Sequence, residues 1–431
     1  MINRTIAPPI HITEGINIPH PSIYNFSNGT TLLVVDSGDV DVCRVDIVFN
    51  AGSQYQSKKL VASATMSLMS EGTAKHSSQE ISEYFDFWGS FISISADKDF
   101  AKATAYSLTK YLPQTLQMLE EVIKSPTFPN AELDVWKRRG KQSLTVELDK
   151  PSTLARMEFF KTIYGLNHPY GSYALPNDYE LLEQNELAGF HQSTLGSQGA
   201  TILLSGKISD DQIKLVQKHF GDYGWGTSTQ RNTETYVGAR ATGGNVFVQK
   251  DGAVQSAVRV GRVLFNRSHP DYPDLAIVNA ILGGYFGSRL MKNIREEKGF
   301  TYGIGSYLLT FRDSGALVIA TEVGSGYTKQ TLQEIKNEIY RLQTEPVQLD
   351  ELTRVRSYLM GEALRSFNGP FAIADNMLSL LYYNNLDFEF YNRVVDSIKR
   401  VSPDRIMELA QKWFNYNDMV ECVAGAENPF N

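Results

Sequence analysis

The sequence predicts an α+β protein of two homologous domains, each a mostly antiparallel sheet with helices packed on one face. Three observations carry this. The chain has 431 residues, beyond the size at which a single hydrophobic core usually splits. In each half, short strands of apolar residues follow one another before helical patterns cluster, the order of a hairpin-built sheet with grouped helices. The second half also echoes the first at an offset of 216 to 219 residues: Thr115-Leu116-Gln117 returns as Thr331-Leu332-Gln333, and Glu132-Leu133 returns in context as Glu351-Leu352. A repeated element order with repeated residues points to duplication.

Residues 1–21 hold Pro8, Pro9, Pro19 and Pro21 and read as an extended N-terminal arm. Residues 22–37 read as a hairpin around Asn28-Gly29, expected to form a type I′ turn. Residues 42–50 form a strand with Val45, Ile47 and Phe49 on one face, ended by Ala51-Gly52-Ser53. Helices are expected over 60–70 and 78–88, then a strand pair, 90–96 and 100–107, around Asp97-Lys98-Asp99. Residues 113–124 form an amphipathic helix with Leu116, Leu119, Val122 and Ile123 inward. Helical patterning runs over 132–164 with a break at Lys150-Pro151; a strand at 202–205 and a helix at 210–220 follow.

The first domain is placed at 22–225. Residues 226–244, rich in Gly, Thr and Ser, form the linker, and 245–431 the second domain. There the strands are expected at 246–249, 257–265, 301–310, 316–323 and 420–424. Helices fall at 274–282, 288–298, 327–343 and 349–367, with three more beyond, one opened by the cap Ser402-Pro403.

Composition excludes several function classes. Hydrophobic content of 42% and charged content of 21% describe an ordinary globular protein. A net charge of −7 argues against a nucleic-acid partner, which needs a basic surface. No apolar run reaches 18 residues, so no membrane span is expected. The N-terminal residues contain no apolar h-region, so a cytoplasmic location is expected, or a periplasmic one if a leader was removed. The two cysteines, Cys43 and Cys422, sit in apolar strands and read as buried thiols. No G-x-S-x-G elbow, no S-x-x-K accompanied by its partner motifs, and no GxGxxG or Walker A loop is present.

The most informative stretch is 279–306. An apolar helix ends in Gly283-Gly284, a turn carries Tyr285-Phe286-Gly287, and a charged helix leads to a strand bearing Tyr302. Arg295 stands near the end of that helix. A planar guanidinium with five donors and a phenol suit a peptide carbonyl or carboxylate. Spacing alone leaves open that both are an ordinary solvated charge and a packing ring.

This stretch resembles the second-domain signature of the M16 superfamily, which includes insulinase, pitrilysin and mitochondrial processing peptidase. The residues are Gly283-Gly284, Ser288-Arg289-Leu290 and Arg295-Glu296-Glu297-Lys298-Gly299-Phe300-Thr301-Tyr302. The resemblance implies that Arg295 and Tyr302 bind substrate backbone, with Gly283 and Gly284 allowing close approach. It also implies two α+β domains forming half of a four-domain clam.

In that family an active first domain carries H-x-x-E-H on the helix after its A-G-S turn; two imidazoles bind zinc and the Glu activates water. Here the five positions read Ser63-Ala64-Thr65-Met66-Ser67. Ser63 and Ser67 are poor zinc ligands, and Met66 cannot take a proton, so no metal is expected on this chain. His11, His20, His76, His168, His191, His219 and His269 supply no i,i+3 or i,i+4 pair. His76 reads as a surface-turn residue and His168, in His168-Pro169-Tyr170-Gly171, as structural. Glu147 and Asp149 lie near the third-ligand position but cannot make a site alone.

The resemblance therefore implies a non-catalytic, substrate-binding subunit of a heterodimeric zinc metalloendopeptidase. Its partner would be a homologous chain carrying H-x-x-E-H and the zinc, and its substrate a peptide or unfolded protein. The alternative is a structural core-type subunit of a larger complex; a lone enzyme with an unconventional metal site is a third reading.

Overall fold

A computed structural model describes residue 16 and residues 18–227, 243–383 and 386–431. Most of the expected arm, and residues 228–242 of the expected linker, lie outside the described residues.

The first half contains β1 (Ser22–Asn25), β2 (Thr31–Asp36), β3 (Val42–Phe49), α1 (Val61–Leu68), α2 (Ser78–Phe87), β4 (Phe91–Ala96) and β5 (Ala101–Leu108). It continues with α3 (Leu112–Lys124), α4 (Asn130–Leu148), α5 (Pro151–Tyr164), α6 (Gln184–Thr194), β6 (Thr201–Gly206) and α7 (Asp210–Phe220). Its sheet runs β1-β2-β6-β3-β5-β4, antiparallel except for β2–β6.

The second half contains β7 (Gly244–Gln249), β8 (Gln255–Leu264), α8 (Tyr272–Asn279), β9 (Thr301–Thr310), β10 (Gly315–Gly324), α9 (Thr328–Thr344) and α10 (Leu349–Ser366). α11 (Pro370–Tyr383), α12 (Phe390–Arg400), α13 (Pro403–Trp413) and β11 (Val420–Gly425) complete it. The sheet order is β7-β11-β8-β10-β9, again with one parallel pair, β7–β11. Five strands thus match in order and direction between the halves, and the repeated Thr115-Leu116 and Thr331-Leu332 stand on α3 and α9, both threonines fully buried.

The hairpin turn differs from expectation. Gly29 N donates to Phe26 O at 3.1 Å and Phe26 N to Thr30 O at 2.9 Å, leaving a three-residue loop. Only Gly29 takes a positive φ, +89°, so a type I′ turn, which needs two, is not formed. Asn28 instead donates to the carbonyls of Phe220 and Tyr223 and accepts from Thr30 N, fastening the turn to the end of α7. α6 escaped the sequence reading because only Leu187, Phe190 and Thr194 of its eleven residues are buried.

Each domain packs its own helices on one sheet face. Leu32, Val34, Val45, Ile47 and Phe49 join α1, α3 and α6 in one core; Val258, Val260, Leu317 and Ile319 join α8, α9 and α13 in the other. The opposite faces are closed by an exchange. α5, from the first half, lies on the second sheet, with Phe159, Ile163 and Tyr164 against Ala316, Val318, Val420 and Cys422. α11, from the second half, lies on the first sheet, with Ile373, Ala374 and Met377 against Leu33, Val35, Val48 and Leu203. Sheets covered on both faces read as near-continuous apolar runs, as β2 and β6 do.

A buried carboxylate sits at the seam between the halves. Asp99, 2% exposed, accepts from Tyr170 Oη at 2.7 Å, Gln54 Nε2 at 3.1 Å and Arg312 N at 2.9 Å. The Tyr170 ring stacks on Phe311 at 4.3 Å, so the His168-Pro169-Tyr170-Gly171 loop docks on the β9–β10 turn. Burial, only partly offset by these donors, pushes the Asp99 pKa up to about 6. A carboxyl pKa raised on folding stabilises the protein below the unfolded value and loses that stabilisation as pH rises through the folded one. Unfolding free energy is therefore expected to fall by roughly 2–3 kcal/mol between about pH 4 and pH 6 from this group. Urea titrations over that range should show the slope flattened in Asp99→Asn; an unchanged slope would refute the assignment.

Candidate functional site

α8 runs into a π-helical turn, Ala280–Gly284, and after the 285–288 turn the charged segment winds as a second π-helix, Met291–Glu297. The sequence predicts ordinary helices here; π-turns leave no mark in a 3.6-residue pattern and recur at functional sites. The fully buried end of α8 is tied to β9 by Asn279 and Ser306, whose side chains bond at 2.5 Å while Asn279 Nδ2 donates to Ser306 O at 3.0 Å. Sequence reasoning missed this pair, since a lone Asn and a lone Ser in apolar runs carry no spacing signal.

Gly283 is buried, and a Cβ there would stand 2.7 Å from Ser306 N and Cβ. Its lack of a side chain serves the close approach of the π-turn to β9, which is packing; Gly284 is exposed. Arg289 makes a two-pronged ion pair with Glu351 of α10, both contacts 2.9 Å, and so anchors the turn.

Arg295 is half-buried, its guanidinium 4.8 Å from the centroid of the exposed Phe286 ring. Among the described residues it has no ion-pair or hydrogen-bond partner, so its donors are free for a ligand. Tyr302 is 90% exposed at the start of β9. It lines a shallow cavity of about 330 Å³ together with Arg259, Glu322 and Thr321. Arg295 is not part of that lining; it is held against Phe286 instead. Tyr302 faces solvent, while Arg295 lies half-buried at the surface.

In the first domain, Ser63 and Ser67 lie one turn apart on the half-exposed face of α1. Ser63 lines a cavity of about 470 Å³ with Lys58, Lys59, Lys98 and Asn167. Its hydroxyl donates to Leu60 O at 3.0 Å, and Met66 is fully buried in the core. Leu60, just before the helix, takes a positive φ of 71°, a strained backbone for a leucine. Glu147 is engaged by Lys150 at 2.6 Å and Asp149 by Lys250 at 2.9 Å. His76 bonds Glu121 at 2.8 Å, and His168 Nδ1 accepts from Tyr170 N at 3.1 Å, so both have structural work. Two hydroxyls, a buried thioether and lysine ammoniums do not fit zinc, which takes imidazole, thiolate or carboxylate. Among the described residues no three His, Cys, Asp or Glu side chains converge. No helix among them is long and apolar enough to cross a membrane.

The profile described as "Peptidase M16 inactive domain" matches residues 182–359, and that of "Insulinase (Peptidase family M16)" matches residues 32–168. The chain is 24% identical over 414 residues to the uncharacterized zinc protease YmxG of Bacillus subtilis, covering 94% of this chain and 98% of that one. The fold is shared with a peptidase M16 inactive domain from Pseudomonas fluorescens, TM-score 0.85 at 23% identity, over 95% of this chain and 98% of that chain. It is also shared with a protease from Helicobacter pylori, TM-score 0.84 at 17% identity, over 94% and 99% of the two chains.

Proposed function

The chain belongs to the M16 superfamily of peptidases, and from that premise we propose that it is the non-catalytic, substrate-binding subunit of a heterodimeric zinc metalloendopeptidase. One observation carries the reading: the five positions where the family's zinc helix bears its ligands and base hold Ser63-Ala64-Thr65-Met66-Ser67, while Tyr302 stands exposed and the half-buried Arg295, resting on Phe286, keeps its hydrogen-bond donors unused among the described residues. An available Arg and Tyr together with a 63–67 segment that offers no imidazole or carboxylate suit a division of labour. The partner, a homologous chain with H-x-x-E-H, would hold the zinc and do the cleavage.

Arg295 and Tyr302 would grip the peptide backbone of an unfolded segment. Free guanidinium donors backed by an aromatic face favour a carbonyl or carboxylate, and the phenol adds one further donor. Their contribution is alignment, which turns the encounter of scissile bond and partner into an oriented one. Both sheets end in an edge strand, β4 in the first and β9 in the second, and an extended peptide can add to such an edge.

The test is reconstitution. Alone, the purified protein is expected to hold no stoichiometric zinc by plasma mass spectrometry and to cleave no unfolded protein; mixed with a zinc-helix partner it is expected to form a peptidase. One tight zinc per lone chain with activity abolished by chelation would overturn the proposal. Assembly without any gain in turnover would favour the structural-subunit reading.

A further inference from the structure

The two exchanged helices carry opposite charges at their sixth position, and the difference leaves cations unmatched. α5 and α11 each have 14 residues and open with proline, and each crosses the sheet of the other half. Their sixth residues are Arg156 and Asp375. Under α11, Asp375 accepts from Arg44 at 2.6 Å, and Arg44 also pairs with Asp46 at 2.6 Å, so that buried guanidinium is neutralised twice. Under α5 the same helical position brings a second cation.

The placement follows from packing. Ala155 lies against Ala257 and Ala424, and its carbonyl accepts Cys422 Sγ at 3.4 Å. Cys422 is the register partner of Arg259. Gly261, two residues further along the same strand face, leaves room for Phe159 of α5, the residue three beyond Arg156. Arg156, the next residue after Ala155, is therefore within electrostatic reach of Arg259. Arg259 donates only to backbone carbonyls, Val258 at 2.9 Å and Thr321 at 3.5 Å. Neither arginine has a carboxylate within ion-pair distance among the described residues, and Arg156 is exposed without a hydrogen bond. Burial lowers the Arg259 pKa, the exposed Glu322 opposes this, and Arg156 adds to the lowering. Lys98 shares the field: its ammonium bonds only Ser172 O, at 2.8 Å, and burial and then Arg156 lower its pKa.

We propose that Arg156 and Arg259 form a carboxylate-binding site that selects acidic segments of a peptide entering the Tyr302 cavity. Arg259 lines that cavity, so a Glu or Asp side chain near a backbone held at Tyr302 reaches a guanidinium fork. A chain of net charge −7 repels acidic peptides in general, so an acidic preference would have to arise from a local cation cluster such as this. The inference rests on the peptide-binding reading of the cavity.

The experiment measures binding of three labelled, unstructured peptides, identical except for Glu, Gln or Lys at the variable positions, to the full chain at low salt. The Glu peptide is expected to bind about tenfold tighter than the Gln peptide, and Arg156→Glu to abolish or reverse that order. Arg156→Gln, an uncharged change at an exposed position, should remove most of the preference while keeping native circular dichroism. Equal binding of the three peptides, or an order unmoved by Arg156→Glu, overturns the charge-selection proposal. Equal binding that Arg295→Ala still weakens sinks that proposal alone; no binding of any peptide by the folded chain sinks the substrate-binding reading as well.

Discussion

Arg295→Ala in the reconstituted pair is expected to lower kcat/KM by roughly 10²-fold, the usual scale for deleting one positioned donor at a reacting carbonyl. The only charged-group contact its guanidinium makes among the described residues is with the Phe286 ring, so its loss is expected to leave the fold intact. Tyr302→Phe removes one hydroxyl from a residue that is 90% exposed, and roughly a tenfold loss is expected where that hydroxyl donates to substrate. Steady-state kinetics beside size-exclusion chromatography separates the two effects. Unchanged turnover in both variants, with assembly intact, removes the proposed role.

Arg44→Ala is expected to be the most destabilising single change at the junction of the halves, costing about 3–5 kcal/mol, because it strands Asp46 in the interior. Asp46 is fully buried, with Thr104 Oγ1 at 2.7 Å and Lys102 at 3.7 Å as its remaining partners. Asp375, 65% exposed at its side chain, keeps its hydration and contributes little to the loss. Removing both buried charges together, in Arg44→Met with Asp46→Leu, is expected to recover most of the stability, since the cost comes from an unpaired charge. Urea denaturation reads both. A loss below about 1 kcal/mol in Arg44→Ala would show that the pair is solvated.

Much of the architecture was legible because its signals are local. Alternation in 42–49 marked β3, Pro151 marked the break between α4 and α5, and Ser402-Pro403 marked the start of α13, where Ser402 Oγ accepts from Arg405 N at 3.2 Å. The candidate site was legible only through its motif. Spacing placed Arg295 and Tyr302 near one another along the chain but could not say that Arg295 would rest on Phe286 and Tyr302 beside Arg259. Gly283 shows the limit from the other side. Its glycine signal was real, but the close neighbour is Ser306 of this chain.

By itself the sequence determined the duplicated element order, the boundaries of most strands and helices, and that residues 63–67 carry no imidazole, thiol or carboxylate, because these depend on side-chain type and on neighbours within a turn or two. The tertiary structure alone decided that α5 and α11 change places, that Asp99 locks the two halves, and that Arg156 comes within electrostatic reach of Arg259 while Arg44 meets Asp375. Those contacts join residues roughly 100 to 330 positions apart in the chain. No periodicity spans such distances, and burying both faces of two sheets at once selected them.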